Sequence, residues 1–272
     1  GTGAGMKLFC GGIGVAHPDI VNASRRIKKS EMELCQKNGV TEVMEIQIGN
    51  DGIALAESNA GPKLSLTRKD IYLALAANPM GKPNTAKTWK DVNPSLPAIP
   101  IKVLGPPSTS GTRDAFAELI LEKGCEEANP EAKALKDSDK TKFENLCLLI
   151  RSDAAYVDSG ENDNLIVQKL STDPNALGIF GYSYLEENAQ RLHGVPIDGV
   201  TPTYETIAGN TYPGARALYI YVKKQHLKAV PGLKEFLTQY SQMWAPDGPL
   251  VKRGLIASPQ AARDAATKAI DS

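Results

Sequence analysis

The amino-acid sequence predicts an α/β fold. Apolar runs of strand character, at Val43 to Ala56, Ile99 to Leu104, Ala176 to Gly181 and Ala217 to Val222, alternate with segments whose apolar residues recur at helical spacing. The composition, 42% hydrophobic and 23% charged, is that of an ordinary globular chain. At 272 residues there is material for two medium domains or one large one. The 31 lysines and arginines balance 31 aspartates and glutamates, so no global field favours nucleic acid or anionic lipid. Any anion site must be local. No apolar run approaches the length of a bilayer crossing, the first residues carry no signal-peptide pattern, and there is no internal repeat.

In order, Gly1-Thr2-Gly3-Ala4-Gly5 reads as a glycine-rich turn leading into a helix through Met6, Leu8 and Phe9. No strand precedes it and no G-K-[ST] follows, so a nucleotide loop lacks its context. Such an opening also suits a processed or truncated product. Asp19 to Arg26 is a short strand ending in a dibasic loop, and Ser30 is expected to cap a helix through Leu34 and Cys35. Val43 to Ala56 forms one or two strands, with Asn50-Asp51-Gly52 a hairpin signal between them. A helix follows from Thr67 to Ala77, then a proline-rich stretch, Pro79 to Pro100, that holds Trp89. Beyond Asn129 come a charged helical region carrying Cys147, a helix through Leu165 and Leu170, the strand Ala176 to Gly181 and a helix Tyr182 to Glu187. After the tyrosine-rich strand Ala217 to Val222, the helices Leu233 to Met243 and Pro259 to Ile270 close the chain.

The most informative stretch is Pro107 to Phe116. The apolar run Ile99 to Leu104 precedes it, and helical spacing resumes at Phe116, Leu119 and Ile120, so a helix begins near Ser110. Unpaired N–H groups and the positive end of the helix dipole favour an anion there. One hydroxyl suffices for a cap, whereas Ser108, Thr109, Ser110 and Thr112 stand beside Arg113.

Tests for catalysis yield little. His17, His193 and His226 sit far apart, each in an expected loop or surface segment, with no G-x-S-x-G turn nearby. H-E-x-x-H, Walker A and EF-hand patterns are missing, so neither enzyme activity nor a metal or cofactor is expected. Cys10, Cys35, Cys125 and Cys147 fall into two pairs by spacing, which favours bridges Cys10–Cys35 and Cys125–Cys147 among three pairings; four buried thiols of a cytosolic chain is the alternative.

Taken together, these residues resemble the PstS-like phosphate-binding proteins of bacterial phosphate ABC transporters. The strongest match is Ser110-Gly111-Thr112-Arg113-Asp114. Supporting it, in the family's order, are Gly1 to Gly5, Asn22-Ala23-Ser24-Arg25-Arg26, Thr67 to Tyr72, Ala176 to Tyr182 and Tyr212 to Tyr221. The resemblance implies a two-lobed, type II-like periplasmic-binding-protein fold with two hinge strands and a ligand cleft. Lobe 1 would comprise residues 1–57 and 214–272, and lobe 2 residues 58–213. It implies a monomeric, periplasmic or otherwise extracytoplasmic receptor that captures inorganic phosphate and delivers it to a transmembrane ABC permease. Receptors for sulfate or molybdate, or a phosphoester hydrolase using the same pocket, are the alternatives.

By the same resemblance a strand and a small-residue loop that also contacts phosphate are expected ahead of Gly1. Two positions depart from the family pattern. Many members carry Asp after the Ala-Ser of the second loop, where this chain has Arg25, and many carry Arg shortly before Ser-Gly-Thr, where it has Pro106 and Pro107. The expected phosphate ligands are Thr2, Ser24, Arg25, Asp51, Ser110, Gly111, Thr112 and Arg113. Hydroxyls and the amides of Gly111 and Thr112 would donate, and Arg25 would offer a bidentate fork. Asp51 would accept the proton of hydrogen phosphate, which deprotonated sulfate cannot supply; a plain Asp-Gly turn is the competing reading of Asp51.

Overall fold

A computed structural model describes residues 1–272, which divide into two compact units. Unit 1 holds Gly1–Asp51, Ile207–Asn210 and Arg216–Ser272; unit 2 holds Gly52–Thr206 and Thr211–Ala215. The strands are β1 (Ile20–Ala23), β2 (Val43–Ser58), β3 (Val103–Gly105), β4 (Tyr156–Asp158), β5 (Leu177–Gly181), β6 (Leu192–Gly194) and β7 (Ala215–Lys223).

In unit 1, β1 runs antiparallel to β7 with Ile20 opposite Val222 and Ala23 opposite Tyr219. Alternation along β7 divides the core between the two faces of the ladder. Ala217, Tyr219 and Tyr221 pack with Met6, Phe9 and Val21. Ile220 and Val222 pack with Met44, Ile46, Leu237, Trp244 and Ile270 under the two closing helices. Those helices span Leu233–Met243 and Gln260–Asp271, within a residue of their expected bounds.

In unit 2, the second half of β2 pairs antiparallel with β5 and with β6. The parallel neighbours β3 and β4 extend the same ladder from β5. Burial on both faces explains the near-continuous apolar runs of β3 and β5. Helix Arg68–Leu75 begins where expected, because Thr67 accepts from the Asp70 amide and Asp70 accepts from the Thr67 amide. The proline-rich stretch is anchored by Trp89, which is fully buried.

Both bridges expected from the spacing are present, Cys10–Cys35 and Cys125–Cys147. The first lies in the core of unit 1, the second in a cluster of unit 2 with Tyr72 and Phe143.

Four local expectations are corrected. Gly1 to Gly5 is not a turn: the helix starts at Thr2 and runs to Phe9, with the Gly5 amide donating to the Gly1 carbonyl at 3.1 Å. Gly5 is instead needed for close packing, since a Cβ there would lie 2.9 Å from the Val21 side chain. Asn50-Asp51-Gly52 does not turn either. β2 passes through it unbroken, and neither Asp51 nor Gly52 adopts the positive φ of a tight hairpin. Asn50 holds the chain extended, exchanging backbone bonds with Ile256 (2.7 and 2.9 Å) while its side-chain amide donates to the Ile207 carbonyl at 2.8 Å. Ser30 lies inside the helix Lys29–Lys37, whose cap is Lys28; the Lys28 amide donates to Glu31 Oε1 at 2.9 Å. The run Ile99 to Leu104 becomes a strand only at Val103, because the Ile99 carbonyl and Ile101 amide bond instead to Trp89 and Lys87.

Candidate functional site

The expected ligand residues form a separate group in each unit. In unit 1 the cap of helix Thr2–Phe9 is Gly1, which has no side chain to bond the first-turn amides. The chain leaving β1 crosses beside it. The Ser24 amide donates to Thr2 Oγ1 at 3.1 Å, and the two hydroxyl oxygens stand 3.3 Å apart. A cavity of about 310 Å³ opens there, lined by Gly1, Thr2, Ser24, Ile48 and Tyr219 among others. The loop is fixed from below: the Ile27 amide donates to the Tyr221 hydroxyl at 2.9 Å, and that hydroxyl donates to Glu45 at 2.7 Å.

Arg25 follows directly. Its guanidinium forms a two-pronged pair with Glu31, Nη1 to Oε1 at 2.8 Å and Nη2 to Oε2 at 3.0 Å. The Arg25 hydrogen bond is the main reason that the Glu31 carboxyl is held below its ordinary range. Nη2 lies 3.8 Å from the position of a Cβ on Gly3, so the charge sits beside the first helical turn. The Arg26 Nε donates to the Tyr219 hydroxyl at 3.2 Å and lies 3.6 Å from Glu45 Oε1. Asp51 sits on β2, with Oδ2 3.6 Å from Arg216 Nε.

In unit 2 the Ser110 stretch is built as expected. Ser110 is the N-cap, its hydroxyl accepting from the Thr112 amide at 3.2 Å, and the Ser110 amide donates to the Pro107 carbonyl at 3.0 Å. The helix continues from Gly111 through a π-helical turn, Ala117–Leu121, to Ala128. Thr109 donates to Glu161 at 3.1 Å, and the Arg113 guanidinium stacks 5.1 Å from the centre of the Tyr156 ring.

Three residues beside these groups were not singled out from sequence: Glu31, Arg216 and Tyr156. The only local signal was for Glu31, three residues after the cap Lys28, at the position of a capping-box acid. The others meet their partners across the sheet or from a distant segment. His17 lies in a loop as expected, whereas the other two histidines depart from expectation. His226 is buried, its ring nitrogens facing Asp19 at 2.5 Å and the Ile13 carbonyl at 2.6 Å. His193 lies in β6, with its ring nitrogens on Glu57 at 2.8 Å and Asn59 at 3.0 Å.

A family model of the PBP superfamily domain matches residues 1–240. The chain belongs to the PBP superfamily. Among curated relatives, it is 31% identical over 250 residues to the protein SphX of Synechococcus elongatus, covering 89% of this chain and 63% of the relative. It is 32% identical over 246 residues to the phosphate-binding protein PstS of Staphylococcus saprophyticus, covering 87% of this chain and 63% of that one. The chain thus spans less than two thirds of the length of these relatives. Among solved structures, a "possible phosphate binding protein" of Planctomyces limnophilus superposes with a TM-score of 0.74 at 26% identity, covering all of this chain and 85% of the other. PstS of Borrelia burgdorferi shares the fold, with a TM-score of 0.65 at 19% identity over 96% of this chain and 85% of the other. The expected α/β periplasmic-binding-protein fold is borne out, and the similarity to proteins named SphX and PstS agrees with the resemblance read from sequence.

Proposed function

We propose that this protein is an extracytoplasmic receptor that captures inorganic phosphate and hands it to a membrane ABC permease. The observation that carries the reading is in unit 1, where Thr2 and Ser24 meet at a helix N-terminus that lacks a side-chain cap, with Arg25 alongside. Relatives named as phosphate-binding proteins support it. The two disulfides suit an oxidising compartment, and no helix is long and apolar enough to cross a membrane.

The proposed ligands in unit 1 are Thr2, Ser24 and Arg25, with Asp51 as acceptor of the phosphate proton. In unit 2 they are Ser110, Gly111, Thr112 and Arg113. Phosphate at neutral pH needs many N–H and O–H donors and one acceptor, and micromolar capture requires about −8 kcal/mol, within reach of a few charge-assisted bonds. Asp51 faces Arg216, with its Oδ2 3.6 Å from the guanidinium Nε.

Calorimetric titration tests the reading. Saturable one-to-one heat with phosphate and weak competition by sulfate are expected. Heat with sulfate or molybdate but none with phosphate would replace the ligand, and turnover of a chromogenic phosphoester would replace the receptor with a hydrolase.

A further inference from the structure

We propose that Tyr156 is a positioning residue for the Ser110 stretch, holding it ready for the anion; the role rests on the phosphate reading above. Gly105-Pro106-Pro107 leads from β3 into the stretch, and its two prolines have no N–H to pin it. The hold on this entry comes from β4 instead. Tyr156 lies opposite Val103 in the parallel ladder, is 7% exposed, and its hydroxyl donates to the Pro106 carbonyl at 2.6 Å.

The same ring carries the Arg113 guanidinium, 5.1 Å from its centre. One side chain therefore grips the stretch before its cap and in its first helical turn. Burial pushes the phenol up to about 12, so it remains a donor wherever phosphate is the dianion or monoanion. Gly105 is shaped to this contact, because a Cβ there would collide with the Tyr156 hydroxyl. A second tie, from the Ser159 amide to the Gly105 carbonyl at 2.9 Å, joins the same two strand ends and leaves the fold less dependent on the phenol.

Two substitutions at the tyrosine separate its two contacts. Tyr156→Phe removes the bond to Pro106 and keeps a ring for Arg113; Tyr156→Leu removes both. Gly105→Ala displaces the phenol without touching the tyrosine. Hydrogen exchange of the amides at 109–112 without ligand, thermal midpoint and phosphate calorimetry are read together. For Tyr156→Phe the expected result is faster exchange at 109–112, a nearly unchanged midpoint and a phosphate Kd raised about fivefold. Tyr156→Leu raises Kd further, by about twentyfold in all, and Gly105→Ala, whose Cβ would meet the ring carbons as well as the hydroxyl, falls between the two. A lowered midpoint with the wild-type Kd, or wild-type exchange and Kd in Tyr156→Phe, overturns the role while phosphate binding stands. Absence of phosphate heat in the unaltered protein overturns the phosphate reading and this role with it.

Discussion

The two units present their donors in opposite ways. Unit 2 writes its group into one contiguous stretch, where Ser110, Gly111, Thr112 and Arg113 belong to a single capped helix start. Unit 1 assembles its group from Thr2 and Ser24, 22 residues apart, and supports Arg25 with Glu31 on the next helix. A contiguous group is held by the local rules of helix capping and needs only its entry pinned. An assembled group exists only while separate segments stay docked. The first should survive distant damage that disables the second.

The largest expected effect tests this contrast directly. The two bridges close loops of similar length, 25 and 22 residues, so removing either should cost about 3 kcal/mol of stability in urea unfolding. Replacing Cys10 and Cys35 with serine loosens the end of helix Thr2–Phe9 against the helix carrying Glu31, and phosphate affinity should fall with stability. Cys125 stands at the far end of the helical run that Ser110 begins, roughly 20 Å along it at 1.5 Å per residue, so replacing Cys125 and Cys147 should leave affinity nearly unchanged. Equal losses of affinity for the two pairs would break the comparison.

Next in size, Arg25→Ala should weaken phosphate binding by about 1.5 kcal/mol, a little over tenfold, because it removes a charge-assisted donor and leaves the Glu31 carboxylate without its partner. Wild-type affinity in calorimetry would take Arg25 out of the unit 1 group. Ser110→Ala should cost about 1 kcal/mol of stability through the lost cap, read by the unfolding midpoint without ligand. A neutral result would show that this helix start does not depend on its cap.

The smallest effect concerns pH. The Glu31 carboxyl is depressed in the folded protein, so its contribution is present above the unfolded pKa, near 4.5, and is lost as pH falls through the lower folded value. The wild-type protein should therefore lose more stability between pH 6 and about 3 than Arg25→Ala does. Parallel acid curves for the two proteins would mean that the pair contributes nothing to folding.

Legibility followed the same division. The helix starts at Ser110 and Thr67 could be read, because a cap and its amide partners lie within three residues. Asn50-Asp51-Gly52 misled, since a hairpin signal is local while the atoms that keep β2 straight belong to Ile256 and Ile207. Gly1 to Gly5 misled for a related reason: glycine can mark a turn or a close approach, and only the position of Val21 decides between them. Thr2, Ser24 and Arg25 were named through resemblance, yet no local feature announced that Glu31 would hold the arginine.

The sequence by itself determined the α/β alternation, the capped helix at Ser110 and the closing helices, and it favoured by spacing the cysteine pairing that the structure shows. These depend on periodicity and on partners a few residues away. The tertiary structure decided that β2 runs through unbroken, that Thr2 and Ser24 share a cavity, that Glu31 takes the Arg25 fork, and that Tyr156 grips both Pro106 and Arg113. Each of these joins atoms supplied by separate segments, and such a pairing acquires its energy only once the sheet has brought the segments together.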